Sequence, residues 1–244
     1  MLPESMPEHR EGDHNPTIRV LRILEALAFH PEGLTLSGLS RTVGASKSTI
    51  VPVVRTMVRH HFISVIEGTS RYGLGVQSLL VGASYAGKDP VLSLIHDEMD
   101  RLVRACSETC QLGILECSDV LYIDRIDSPE PIRLISSIGK RLPASCSAIG
   151  KALLSGLSDN EIRALYPSDM PRLTTKTIVN IDELIREIRI QDSQGIFWES
   201  EEATEGIVCY AVPLKSRGKV VAAASVSIPA FRFTVKKRPP CSMR

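Results

Sequence analysis

Residues 35–50 read TLSGLSRTVGASKSTI, and this stretch decides the fold of the first part of the chain. The apolar side chains of its first half recur at the three- and four-residue spacing of one helical face, which predicts a short helix up to Val43. Gly44 can take the left-handed conformation that commonly ends a helix, and Ser46 can then cap a new helix. Two helices joined by a glycine-containing turn are typical of a helix-turn-helix.

The flanking sequence extends this arrangement. Apolar residues at helical spacing predict helices over residues 17–30 and 47–60. Two short strand patterns follow, over 62–66 and 71–74, and the turn residues between them predict a β-hairpin. A helix-turn-helix followed by such a hairpin is a winged helix, whose last helix enters the major groove of DNA.

The charge of the chain is divided unevenly, although its total is nearly neutral. The 244 residues include 29 Lys+Arg and 28 Asp+Glu, a net charge of +1, which excludes a strongly basic nucleic-acid coat protein and an acidic tail protein. Residues 17–88 hold eight basic and three acidic residues, whereas residues 89–234 hold 16 basic and 21 acidic ones. This asymmetry favours contact between the N-terminal part and a polyanion.

The candidate DNA contacts follow from the predicted winged helix. Hydroxyl and backbone N–H groups at the start of the third helix can hold a phosphate at its positive end. Two arginines lie on the later exposed face of that helix, and the hairpin tip places a third beside the DNA backbone or minor groove. The predicted contacts are Thr35, Ser37, Ser46, Lys47, Ser48, Thr49, Arg55, Arg59 and Arg71. A small helical bundle with solvated basic residues is the alternative interpretation.

The rest of the chain mixes helix and strand patterns, which predicts an α+β or α/β sensor domain. Helices are predicted over 76–87, 91–105, 146–156 and 180–194. Strands are predicted over 110–116, 120–126, 132–138, 195–199, 206–214 and 219–228. The first two helices lie between the DNA-binding part and the sensor, so they suit either dimer contacts or plain core packing.

Polar side chains converge on the last predicted strand. Ser225 and Ser227 share one face with Val221 because side chains two residues apart in a strand point the same way. The preceding hairpin places Cys209 across from residue 224 or 225. An anionic ligand oxygen would satisfy these hydroxyls, and a buried hydroxyl without a partner costs about 1–3 kcal/mol. Hydroxyls bonded to the neighbouring backbone are the alternative.

The chain resembles the IclR family of bacterial transcriptional regulators over residues 17–234. The resemblance rests on the order and spacing of TLS (35–37), ST (48–49), SRYGLG (70–75), GKRLP (139–143), AIGKALL (148–154), EGIVC (205–209) and SVSIP (225–229). It implies an α+β fold with an N-terminal winged helix-turn-helix, a linker helix and a C-terminal GAF-like α/β sensor domain. It also implies a small-molecule effector and homodimers, often paired into tetramers, on palindromic double-stranded operator DNA.

The resemblance further implies domain boundaries and an effector pocket. The expected parts are a disordered segment (1–16), the DNA-binding domain (17–76), linker helices (77–105), the effector-binding domain (106–234) and an atypical basic tail (235–244). In family members that bind small carboxylates, the pocket positions correspond here to Ala148, Ile149, Glu199, Cys209, Ser225 and Ser227. The bulk of Ile149, and Trp198 beside Glu199, predict a pocket shaped for an apolar or aromatic acid.

Two features depart from the family pattern. Pro52 stands in the third helix, where the family usually has a basic or polar residue. Its missing N–H and its ring cost about 3 kcal/mol or kink the helix, or restart it, which predicts altered operator contacts. Residues 235–244 carry two prolines and four basic residues, so they cannot form the amphipathic helix that usually ends family members. We expect a truncated or frameshifted tail that leaves apolar surface uncovered.

Other classes of protein have less support. The chain has neither a membrane-length apolar run nor a secretory signal, which predicts a cytoplasmic protein. Its six cysteines lack the paired spacing of a zinc site, and no nucleophile, P-loop or zinc-protease motif is present, so we predict no catalytic residue, metal or cofactor. A thiol redox sensor that uses Cys106 and Cys110, one helical turn apart, is an alternative. A small-molecule enzyme is a weaker one.

Overall fold

The computed structural model describes residues 14–86, 90–134 and 137–233. The chain divides into two compact units, Met1–Ser93 and Leu94–Arg244. The first contains a three-stranded sheet and helices, and the second contains a six-stranded sheet and helices. This arrangement confirms the predicted α+β class with an N-terminal helix-turn-helix and a C-terminal sheet domain. Among the described residues, no helix has the length and apolar character needed to cross a membrane.

The first unit is a winged helix. Its helices are α1 (Asn15–Ala28), α2 (Leu36–Val43), α3 (Lys47–Arg59) and α4 (Val76–Ala86), and its strands are β1 (Leu34–Thr35), β2 (Ile63–Val65) and β3 (Arg71–Leu74). The strands pair antiparallel in the order β1-β3-β2. Asn15 and Pro16 already belong to α1, which corrects the end of the segment predicted to be disordered. Residues 1–13 and the predicted tail 235–244 lie outside the described residues.

Local signals in the sequence position the helix-turn-helix. The Thr35 hydroxyl accepts a hydrogen bond from the Gly38 N–H at 3.1 Å and caps α2. Gly44 ends that helix with a φ of 68°, a conformation that costs glycine little. The Ser46 hydroxyl accepts from the Thr49 N–H at 3.2 Å and caps α3. The apolar faces of the helices then bury a single small core, which includes Ile23, Leu39, Ile50, Val54 and Ile63.

Pro52 lies inside α3 without dividing it. The helix is continuous from Lys47 to Arg59, so the predicted restart does not occur. Pro52 itself is exposed, and its carbonyl accepts a hydrogen bond from the Thr56 hydroxyl at 2.9 Å. The opposite face of α3 is buried in the core of the unit. Burial of that face offsets the local cost of the proline.

The second unit is built on an antiparallel sheet with the strand order β6-β5-β4-β9-β8-β7. The strands are β4 (Thr109–Glu116), β5 (Asp119–Ile126), β6 (Arg141–Pro143), β7 (Phe197–Ser200), β8 (Ile207–Ser216) and β9 (Lys219–Pro229). The helices are α5 (Pro90–Cys106), α6 (Ala148–Leu154), α7 (Asp159–Leu165) and α8 (Ile181–Gln194). Short 3₁₀ turns lie at Ala144–Cys146 and Ala230–Arg232.

Helix α6 lies at the centre of the second unit, because every one of its residues is buried. The core of the second unit includes Leu154, Ile162, Leu184, Ile188 and Phe197. Gly150 allows α6 to approach the turn before it, since a Cβ at this position would overlap the Ala144 carbonyl. This close approach fixes the start of α6, the end that contributes to the candidate site.

The strand predicted over 132–138 is not found in the described residues of that segment, and residues 135–136 lie outside them. The described residues of this segment form a bend, a turn and irregular backbone, and Ile132 and Ile138 are each 61% exposed. Pro131 removes a donor at its start and Gly139 follows with a φ of 85°, so the segment suits a sheet poorly. The strand next to β5 is instead the three-residue β6.

Candidate functional site

The first candidate surface is the start of α3. The Ser46 hydroxyl lies 2.8 Å from both the Ser48 Oγ and the Thr49 Oγ1 atoms, so three hydroxyls form one cluster at the positive end of the helix. Lys47 is exposed beside them. Hydroxyls, free N–H groups and an ammonium together can bind a phosphate.

The solvent face of α3 continues this surface. Ser48, Pro52, Arg55 and Arg59 recur three or four residues apart, and all are exposed. Within the part of the chain that the structure describes, neither arginine forms an ion pair. Unpaired guanidinium groups on one helical face can contact phosphates or guanine. Pro52 therefore places an apolar ring in the middle of this face.

The other predicted DNA contacts are partly engaged within the unit. Arg71 lies on β3, opposite Thr35, rather than at the tip of the hairpin, and its Nη1 donates to the Gly33 carbonyl at 2.8 Å. The Thr35 hydroxyl serves as the cap of α2. Ser37, in the first turn of that helix, is exposed. Arg71 and Thr35 thus have a structural task besides any contact with DNA.

The second candidate site is a cavity of about 40 Å³ in the second unit. Strands β7, β8 and β9 and the start of α6 bring together all six residues predicted for the effector pocket. These lining residues are Ala148, Ile149, Glu199, Cys209, Ser225 and Ser227. Further lining residues were not predicted from the sequence, among them Gln111, Tyr122, Lys140, Leu142, Thr204 and Ile207. Gln111 could have been predicted from the sequence, because it is a polar residue among the apolar residues of the strand predicted over 110–116.

The register of β8 and β9 differs from the prediction. The turn Arg217–Gly218 has two positive φ angles, 49° and 78°, as a two-residue hairpin loop requires. A bulge at Leu214–Lys215 then shifts the pairing by one residue. Cys209 therefore pairs with Ser227, two or three residues further along β9 than predicted. The shift also leaves Val221 54% exposed, outside the face that the serines share.

Glu199 presents an unsatisfied buried oxygen at the cavity. It pairs with Cys209 across β7 and β8 and is 1% exposed. Its Oε2 accepts a hydrogen bond from the Glu202 N–H at 2.7 Å, whereas its Oε1 has no hydrogen-bond partner among the described residues. Burial raises the pKa of Glu199, although the Cys209 thiol, the Glu202 N–H and Lys151 each act to lower it.

The thiol of Cys209 is held in its neutral form. Its Sγ lies 3.4 Å from the Ser227 Oγ, and the Ser227 hydroxyl in turn donates to Gln111 Oε1 at 3.4 Å. Burial and the Glu199 carboxylate raise the pKa of Cys209 well above its ordinary value. Because the thiolate is the nucleophilic form of cysteine, this environment favours binding over covalent catalysis.

A buried ion cluster supports the Glu199 side of the cavity. The side chain of Lys151 is fully buried, and its Nζ donates to Glu187 Oε1 and to Glu202 Oε1 at 2.6 Å each. Burial raises the pKa of Glu202 to about 7, against the opposing effect of Lys151. The backbone N–H of Glu202 donates to the Glu199 carboxyl group. Because Lys151 holds Glu202 in place, it also positions this donor.

Trp198 was expected to help shape the cavity, but it does not line it. Neighbouring side chains of a strand point to opposite faces, and Trp198 is absent from the lining formed by the described residues. Its backbone exchanges two hydrogen bonds with the Gln191 side chain of α8, at 3.0 and 3.1 Å. Ile149, which is 2% exposed, remains the bulky predicted residue of the lining.

The cysteine pair considered for redox sensing is arranged differently from the prediction. Cys106 ends α5 and Cys110 lies in β4, so the two do not share a helix. Cys110 is 0% exposed, and burial raises its pKa to about 12. A redox-sensing thiol is accessible and has a low pKa, so Cys110 is poorly suited to that task.

Family models match most of the chain. Residues 17–65 match the IclR helix-turn-helix domain, and residues 83–242 match the bacterial transcriptional regulator IclR C-terminal domain. Among curated proteins, the HTH-type transcriptional regulator KdgR from Dickeya chrysanthemi is 32% identical over 219 residues, which cover 89% of this chain and 72% of KdgR.

Solved structures share the fold. An IclR transcriptional regulator from Alicyclobacillus acidocaldarius superposes with a TM-score of 0.84 at 23% identity, covering 92% of this chain and 91% of the other. An IclR homologue from Microbacterium hydrocarbonoxydans, complexed with 4-hydroxybenzoate, superposes with a TM-score of 0.81 at 24% identity, covering 91% of each chain. Identities at this level establish a common fold.

Proposed function

Because this chain belongs to the IclR family of bacterial transcriptional regulators, we propose that it binds a palindromic operator and responds to a small carboxylic acid. DNA binding through a helix-turn-helix and possession of a C-terminal effector domain are properties of the family. The observation that carries the effector proposal is the convergence of the six expected pocket residues on one buried cavity.

The lining of the cavity supports an apolar or aromatic acid as effector. Tyr122, Leu142, Ile149 and Ile207 provide apolar surface. The polar groups on the strands include those of Gln111, Glu199, Ser225 and Ser227, and in small-molecule sites such groups fix the orientation of a ligand. The buried Ser225 hydroxyl is the proposed donor within the pocket, and the buried Ser227 hydroxyl becomes a second donor when the ligand replaces its bond to Gln111. We assign no catalytic residue.

The small size of the cavity bears on regulation. The cavity has a volume of about 40 Å³, and we propose that an acid with a ring moves the lining side chains when it binds. Such an acid binds one conformation of the domain better than another. Differential affinity of this kind is what a ligand needs in order to shift a conformational equilibrium.

DNA binding is assigned to the domain of residues 17–76, and effector binding to residues 106–234. In the first, the proposed contacts are the hydroxyl cluster at the start of α3 and the exposed side chains of Lys47, Arg55 and Arg59. Ser37 and Arg71 extend this surface to α2 and the wing. Salt dependence of DNA binding should therefore arise from residues 17–88.

A homodimer is the proposed assembly, because a two-fold operator is read by a two-fold protein. Helix α4 supports it: Val76, Leu79 and Leu80 recur on one face and are 61%, 68% and 56% exposed. An apolar helical face of this kind suits a second copy of the chain. Light scattering on the wild type and on Leu79→Glu tests the assignment, with loss of the dimer in the variant expected and an unchanged mass contradicting it.

Two experiments in sequence test the proposed function, and the first also identifies the operator. Selection from random duplex DNA with the purified full chain should enrich a palindromic sequence. Thermal unfolding in the presence of small carboxylates and aromatic acids should then identify an acid that raises the melting temperature, as any ligand of the native state does. Failure to enrich a sequence would contradict operator binding, and a panel without a stabilising acid would contradict the effector assignment.

A further inference from the structure

The middle of the exposed face of α3 differs chemically from its two ends. Ser48 precedes Pro52 by one turn, Arg55 and Arg59 follow it, and all four residues are exposed. Hydroxyl and guanidinium groups can form hydrogen bonds with base edges or phosphates, whereas the ring of a proline presents only C–H groups. The face therefore has a polar beginning, an apolar centre and a cationic end.

The residue one turn after Pro52 does not supply a donor to this centre. Thr56 is exposed, but its hydroxyl donates to the Pro52 carbonyl at 2.9 Å. A hydroxyl group has a single proton to donate, so this bond leaves Thr56 only its acceptor capacity. At this level of the helix, neither Pro52 nor Thr56 presents a hydrogen-bond donor to a base edge.

The base edges of the major groove differ in how well they suit an apolar centre. Thymine displays its C5-methyl group there, while the edges of the other bases display hydrogen-bond donors and acceptors. A polar edge covered by the proline ring loses its water without gaining a partner, which costs free energy. A methyl group covered by the same ring gains free energy, because apolar surface is removed from water. The exposed ring therefore favours thymine and disfavours the other bases.

The charges along α3 direct this ring towards DNA. Lys47 lies before Pro52 on the helix, Arg55 and Arg59 lie after it, and all three cations are exposed. Such groups bind the phosphates that border the major groove and so fix the position of a protein on the duplex. A helix held in this way at both ends faces the bases with its centre, as the recognition helix of a helix-turn-helix does.

On the basis of the operator binding proposed above, we propose that Pro52 is a specificity-determining residue, whose ring packs against the methyl group of one thymine in each half of the operator. The flanking polar and cationic side chains supply most of the affinity. Pro52 supplies a preference for thymine at one position, both by the contact with the methyl group and by the exclusion of polar base edges.

Removal of single methyl groups from the DNA tests this inference. The duplex is the sequence that the full chain enriches from random DNA, and each thymine of one half-site is replaced in turn by uracil, which lacks only the C5-methyl group. Anisotropy with the wild type should identify one thymine whose replacement weakens binding about 4-fold, the effect of burying one methyl-sized group. 5-Bromouracil at that position, whose bromine is close to a methyl group in size, should restore most of the affinity.

Protein variants assign the methyl contact to Pro52. Pro52→Ser removes the ring and should bind the thymine and uracil duplexes with equal affinity. Arg59→Ala is the matched control, because it should weaken binding to both duplexes by the same factor and leave their ratio unchanged. Melting curves establish that each variant folds, and removal of a proline from the interior of a helix favours the helix.

The outcomes distinguish this inference from the proposed function. If the chain enriches a palindromic sequence but no uracil replacement weakens binding, or if the effect survives in Pro52→Ser, the assignment to Pro52 is overturned and operator binding stands. If no sequence is enriched, both are overturned. A methyl effect at one thymine that is lost in Pro52→Ser and kept in Arg59→Ala supports both.

Discussion

The Nζ atom of Lys151 lies 2.6 Å from the Oε1 atom of Glu202, and the lysine side chain is fully buried. A second carboxylate, that of Glu187, lies at the same distance from Nζ. Desolvation of buried charges offsets much of the attraction between them, so removal of one partner is more informative than a count of the pairs. The cluster also fixes the backbone N–H that binds the pocket residue Glu199.

We expect Lys151→Met to destabilise the protein by about 3 kcal/mol, because it leaves buried carboxylates without a counter-charge. The double variant Lys151→Met/Glu202→Gln should recover part of this loss, since it removes the most buried of those charges. Urea unfolding measures the free energy of unfolding of the single and double variants. A single variant as stable as the wild type would show that the ion pair contributes nothing net.

The stability of the second unit should depend on pH through Glu202. Its pKa in the folded protein is about 7, against an ordinary value of 4.5. A carboxyl group whose pKa is raised on folding stabilises the protein below its ordinary pKa, and this contribution is lost as the pH rises through the folded-state value. The wild type should therefore lose stability between pH 5 and pH 8.

Glu202→Gln is the matched variant for this prediction, because it cannot ionise. The pKa values of Glu199 and His96 are also raised on folding and act in the same direction, so only the difference between wild type and variant isolates Glu202. We expect that difference to change by about 1–3 kcal/mol across this range, at about 1.4 kcal/mol for each pKa unit. Parallel pH profiles would contradict the assignment.

Arg59 should contribute to DNA binding through the positive charge of its guanidinium group. Arg59→Ala should weaken binding to specific and random duplexes alike and should reduce the slope of log affinity against log salt by about one, as expected for a single phosphate contact. The control is Lys215→Ala, which removes an exposed cation from the hairpin of the second unit and should leave the slope unchanged. Fluorescence anisotropy over a salt series gives both slopes.

Pro52 should influence which sequence is bound. It lies between Ser48 and Arg55 on the exposed face of α3, where a polar side chain could contact base edges. We expect Pro52→Arg to change the sequence enriched from random DNA. Because the helix is already continuous, Pro52→Ala controls for removal of the proline alone. An operator preference and affinity that are the same for wild type and Pro52→Arg would contradict this expectation.

Local sequence signals predicted the winged helix well, because its helix caps are hydrogen bonds between residues three positions apart. Gly44 ends α2 and Ser46 caps α3 as predicted, whereas the capping role of Thr35 was not predicted. The capping box of Ser158 and Glu161 and the end of α8 at Gly195 are interactions of the same local kind. Each of these interactions joins residues that are close in sequence, so it does not depend on the tertiary structure.

The pocket was predicted in part. Alternation along β9 correctly placed Ser225 and Ser227 on a common buried face, but the pairing with Cys209 depends on a bulge that no residue pattern reveals. The ion pair between Lys151 and Glu202 joins residues 51 positions apart. Lys140 follows a segment that was predicted to be a strand. Contacts of this kind depend on how the elements pack, and the sequence pattern alone does not specify that packing.

Coupling between the effector cavity and DNA binding is the central claim, and one titration tests it most directly. The affinity of the full chain for its selected duplex is measured by anisotropy at increasing concentrations of the acid that stabilises it, for the wild type and for Ser227→Val. We predict a change of at least 5-fold for the wild type, within the usual range of allosteric coupling, and little change for the variant at the same concentrations. An affinity that does not respond to the acid, or that responds equally in Ser227→Val, would contradict the account.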